Sequence, residues 1–68
     1  MSDAKKAADL RARAATIRDQ GRKLQARARS MPDGSMRDLL EGQAAVLIEG
    51  AEKIDADALA LDPAVGTA

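Results

Sequence analysis

The side chains best equipped for chemistry in this sequence are cations. LRARAATIRDQGRKLQARARSM, Leu10 to Met31, carries seven basic residues and one acid. Cations at this density suit phosphate contact, because each Arg or Lys that neutralises a phosphate releases a condensed counterion. Lys5, Arg22, Lys23 and Arg29 are the candidate nucleic-acid contacts: helical spacing turns them outward, away from the acidic half of the chain. Two facts weigh against a nucleic-acid function. The whole chain balances eleven basic against eleven acidic residues, and it has no aromatic side chain to stack on a base.

Other chemistry is missing. With no His and no Cys, the usual general base, thiolate nucleophile and soft-metal ligands are gone, and so are disulfides and zinc sites. Asp55, Asp57 and Asp62 cannot all share one helix face and read as a solvated flank. Ser2, Thr16, Ser30, Ser35 and Thr67 read as caps, turn residues or surface. PDGSMRDLLEG does not meet the spacing of a calcium loop, and GRK at 21–23 lacks the flanking residues of a phosphate loop. No catalytic residue, metal, cofactor or small-molecule substrate is expected, and the chain reads as a non-enzyme.

The charges are sorted along the chain. Residues 1–30 hold nine Lys/Arg and three Asp, whereas residues 31–68 hold Arg37 and Lys53 against eight acids. Two oppositely charged halves imply two elements that pair with each other. No stretch approaches the roughly 18 apolar residues of a membrane span, and MSDAKKAADL lacks the apolar core of a secretory signal. The expected compartment is the cytoplasm.

Those halves are read as two helices. SMPDGS at 30–35 concentrates turn and cap formers, and Met31 before Pro32 is pushed out of the helical region. Ser2 can cap a first helix over about 3–30, with Asp3 in its first turn. Ser35 can cap a second over about 36–61, with Asp38 completing a variant capping box. Pro63 closes that helix, and 62–68 should fray. The chain is expected to be one all-α domain over 1–68, an antiparallel two-helix hairpin with its turn at 31–35.

Spacings of three and four define the seam. In heptad letters, the first helix has Ala7, Ala14, Gly21 and Ala28 at a, and Leu10, Ile17, Leu24 and Met31 at d. The second has Arg37, Ala44, Ala51 and Ala58 at a, and Leu40, Leu47, Ile54 and Leu61 at d. Folding at Gly34 sets residue i opposite residue 68 − i. Every pair from Ala7–Leu61 through Gly21–Leu47 to Ala28–Leu40 then opposes one small and one large residue, the pattern by which facing layers interdigitate. Gly21, costly in a helix interior, is expected to make room for Leu47. This small-a, large-d seam resembles that of the Rop family, plasmid-encoded RNA-binding regulators in which two hairpins form a four-helix bundle. The resemblance is confined to the seam and implies an architecture, since the chain lacks the aromatic residue that family presents to RNA.

Beside the seam, Lys6, Arg11, Arg13, Arg18 and Arg27 occupy e and g of the first helix, facing Glu41, Asp55, Asp57 and Asp62 of the second. Their expected role is to select the correct pairing, at about 0.2–1 kcal/mol per exposed pair. The second helix also carries apolar residues the seam does not use. Leu39, Val46, Ile48 and Leu59, with Gly42 permitting close approach, are the candidate oligomer or partner interface. A chain of 68 residues whose apolar content is half alanine is marginal as a monomer. The expectation is a protein–protein assembly module that acts as a homo-oligomer, most simply a dimeric four-helix bundle, or as a small subunit of a larger complex. The alternatives are a small nucleic-acid-binding regulator and a structural component of a particle such as a virion.

Overall fold

A computed structural model describes residues 2–63. It contains two helices of equal length, α1 (Asp3–Arg29) and α2 (Ser35–Leu61), packed side by side, and no strand among the described residues. Helix ends fall within one residue of those expected; Met1 and most of the expected frayed tail, 64–68, lie outside the described residues. Contacts between the helices run in opposite senses along the two chains. Arg11 and Leu59 line one hollow, and Gln25, Arg29 and Glu41 another. Between them Gly21 meets Leu47. The hairpin is therefore antiparallel, and the Gly21–Leu47 contact matches the expected register.

Local chemistry sets the ends. The Ser2 hydroxyl accepts a hydrogen bond from the Lys5 amide at 3.2 Å, satisfying one of the orphan donors of the first turn. At the other end of α1 the Ser30 hydroxyl donates to the Arg27 carbonyl at 2.8 Å. The start of α2 differs from expectation. Ser35 is the first helical residue, not the cap, and Gly34 holds the cap position with no side-chain hydrogen bond. The helical ladder begins one residue early, because the Asp38 amide donates to the Gly34 carbonyl at 3.1 Å. Gly34 adopts φ 157° and ψ −178°, a region essentially restricted to glycine. Open space surrounds the position a Cβ would take, so backbone strain is the whole cost of a substitution. Gly34→Ala should destabilise the hairpin by about 1–3 kcal/mol without altering its helix content, as read from denaturant unfolding followed by circular dichroism.

Arg37, the one large residue at an a position, belongs to the turn and not to the seam. Its guanidinium donates to Asp33 at 2.9 Å and to Glu41 at 3.0 Å. The side chain thereby ties the acidic end of the turn to the first turns of α2.

Burial departs from the expected interdigitation. The buried residues are Ala7, Ala14, Gly21, Ala28, Ala44, Ala51 and Ala58, the small members of the a rows. Among the described residues no large side chain is fully buried. The d residues from Leu10 to Ile54 are half-buried and Leu61 is exposed. Helical geometry explains this. Successive residues are about 100° apart, so d lies about 60° to one side of a, and e about 40° to the other. Ala and Gly at a let the backbones approach along that row, which becomes the line of closest contact. Two helices can enclose that line only. The large d side chains lean over its rim and keep one side open.

Candidate interaction surface

The two sides of the hairpin differ in chemistry. On the e side lie Arg11, Arg18, Gln25, Ile48 and Asp55, all half-buried. Here Arg18 pairs with Asp55 across the helices. Both side chains are about one-third exposed, so water screens the pair and its contribution is on the order of 1 kcal/mol or less. It is the only ion pair between helices among the described residues. The expected pairing of both charged flanks is therefore realised on one side only. Glu41 turns back to Arg37 within its own helix. Lys6, Arg13, Arg27 and Asp57, at g, are exposed and make no ion pair across the seam. The e positions stand closer to the contact line than the g positions, which accounts for the asymmetry.

The five candidate interface residues do not form one patch. Ile48 leans over Gly21: its Cγ1 would lie 2.8 Å from a Cβ at that position, nearer than the Leu47 Cβ at 3.4 Å. Gly21 thus makes room chiefly for Ile48, and Ile48 is part of the hairpin's own packing, not surplus. Leu59 is 46% exposed and sits on the e side beside Arg11, Arg18 and Asp55. Leu39, Gly42 and Val46 do come together. With Leu24, Leu47, Gln43 and Asp38 they line a shallow groove on the d side. Leu39 is 55% and Val46 68% exposed.

Sequence reasoning assigned the d residues to the interior and so missed them as surface. Leu24 and Leu47 form the floor of this groove, and the other d residues from Leu10 to Ile54 are likewise half-buried. Met36 on α2 is also exposed. The signal was present in the composition of the a rows: alanine and glycine draw the contact line onto themselves, and bulky neighbours must then face outward.

The candidate phosphate contacts stand apart from this groove. Lys5, Arg22, Lys23 and Arg29 are all exposed. Lys23 faces Asp19 one turn back at 3.2 Å; the other three have no acidic partner among the described residues. No group of His, Cys, Asp or Glu among the described residues could hold a metal ion, and no described helix is long and apolar enough to cross a membrane. Comparison with protein-family models, curated proteins and solved structures gives no match for this chain.

Proposed function

We propose that this chain is a non-enzymatic assembly module that works by self-association, its hairpin completed to a four-helix bundle by a second copy. One observation carries the reading: the large d side chains are all left open along a single side of the hairpin. A row of half-buried Leu and Ile beside exposed Leu39 and Val46 exceeds the scattered aliphatics of an ordinary surface. Laying a second such row over it encloses both, and a two-fold dimer is the simplest closed arrangement. Sedimentation across a concentration range is the test. The expected result is a dimer mass at micromolar chain concentration; a folded monomer there would remove the proposal.

A second reading rests on the placement of the cations. Lys5, Arg22 and Arg29 are exposed and unpaired among the described residues, and they occupy outer positions of α1 that a contact through the d side leaves free. A basic helix so presented can grip a phosphate backbone. If it does, affinity for nucleic acid falls steeply with added salt. Reversing Arg22, Lys23 and Arg29 to Glu is then expected to abolish that binding while helix content and self-association persist. Binding that ignores salt, or survives the reversal, would contradict this reading.

A further inference from the structure

The d side carries a charge that a second copy does not answer. Its α1 rim holds Lys6, Arg13 and Arg27 at g, all exposed and without an acidic partner among the described residues. The g positions of α2 supply one carboxylate, Asp57. Asp38 at the groove edge and Lys53 further along α2 cancel. Each hairpin therefore brings a positive surplus to this side, and a second copy brings the same surplus and not its complement. We propose that the d side also docks a helix from an acidic partner: an amphipathic helix whose apolar stripe is flanked by carboxylates at heptad spacing. Such docking rests on the d side being the interface proposed above, and it would compete with the second copy for that interface.

The shape of this side favours a helix. Its d residues from Leu10 to Ile54 are half-buried, and Leu24 and Leu47 lie at the floor of a groove. Side chains so recessed are met by the knobs of another helix, the way amphipathic helices fill apolar grooves. A lipid surface instead takes up apolar groups that protrude. Gly42 in the groove and Gly50 beside the d row have open space where a Cβ would stand, so a third backbone can come close. The cations set the length of the partner. Lys6, Arg13 and Arg27 are whole heptads apart and span about 32 Å of helix. A helix of that length with Glu or Asp every seventh residue along one flank meets each of them, and Gln20, at the remaining g position, asks for no charge. Rim charges of this kind select a partner more than they hold it. Three such pairs, at the usual strength of exposed pairs, amount to roughly tenfold in affinity.

Two synthetic probe helices test this against the full chain. Both carry a leucine stripe over about three heptads, and they differ only in having Glu or Gln on the flanks. Fluorescence anisotropy at low salt is expected to show the Glu probe bound about tenfold more tightly than the Gln probe. The preference should fade in about 0.5 M salt. It should vanish when Lys6→Gln, Arg13→Gln and Arg27→Gln are combined, substitutions at exposed positions that leave helix content unchanged. Equal affinity for the two probes, or a preference that survives the triple substitution, would overturn the acidic partner. So would binding to phosphatidylglycerol vesicles without binding to the Glu probe, which would make lipid the occupant. The sedimenting mass of the chain alone separates these outcomes from self-association. A dimer that binds neither probe overturns only the acidic partner, whereas a monomer that prefers the Glu probe overturns only self-association.

Discussion

Leu47→Asp is expected to abolish the proposed self-association. Leu47 is half-buried in the hairpin and forms part of the groove floor with Leu24, so a second copy would complete its enclosure. A large aliphatic side chain contributes about 1.5–3 kcal/mol when fully buried. A two-fold dimer loses that contribution twice, and each introduced carboxylate would have to shed its water or take up a proton before the faces could close. The dissociation constant should rise by at least about 10²-fold, since every 1.4 kcal/mol is tenfold. Leu59→Asp is the control: the same chemical change at a more exposed leucine, on the side that carries Arg11, Arg18 and Asp55. It should leave the dissociation constant within about threefold, a few tenths of a kcal/mol being the usual effect of a surface substitution. Equal losses in the two variants, measured by sedimentation, would show that the d side is not the contact face.

The second large effect acts inside one chain. Gly21→Leu should open the hairpin. A Cβ at Gly21 already meets Ile48 Cγ1 at 2.8 Å and the Ala44 carbonyl oxygen at 3.2 Å. The side chain of Ile48 can turn aside, but the Ala44 carbonyl is backbone and moves only with α2. Overpacking of this kind costs about 1–3 kcal/mol or more, in a hairpin with little stability to spare. Gly21→Ala sets two terms of similar size against each other. The helix gains about 1 kcal/mol from propensity, and the contact with Ile48 takes part of it back. The expected order of stability in urea unfolding is Gly21→Ala close to the parent chain, with Gly21→Leu well below both. A Leu variant as stable as the parent would mean the helices do not approach at Gly21.

The contrast between these two substitutions marks what the sequence made legible. The a rows could be read directly: Ala7, Ala14, Gly21 and Ala28 recur every seventh residue, and all are buried. So could the turn at Pro32–Gly34 and the Ser2 cap, because those residue types have few other uses. What periodicity alone does not fix is where the line of contact falls between a and its neighbours. Heptad spacing is the same whether the contact is centred between a and d or on a itself. That rotation of a few tens of degrees decides whether leucine at d is core or surface. It also decides that Ile48 at e touches Gly21 while Asp57 at g reaches no cation across the seam. Arg37 was illegible for a different reason. Its two carboxylate partners, Asp33 and Glu41, lie four residues away on either side, and local pairing displaced it from the seam that its heptad position suggested.

The surface leucines link fold to function. A hairpin that buries only alanine and glycine gains little per residue from its own seam, because those side chains remove little apolar area from water. Under the proposed self-association further stabilisation comes from the d side, and folding and self-association should be coupled. The most direct measurement is the thermal unfolding midpoint as a function of chain concentration, followed by circular dichroism. Ligand-like stabilisation by a second copy makes the midpoint climb as the chain becomes more concentrated, and that climb should disappear in Leu47→Asp. A midpoint that stays fixed across the range, with a cooperative transition, would show that the hairpin is complete alone and would contradict the proposal that its open leucine row is an interface.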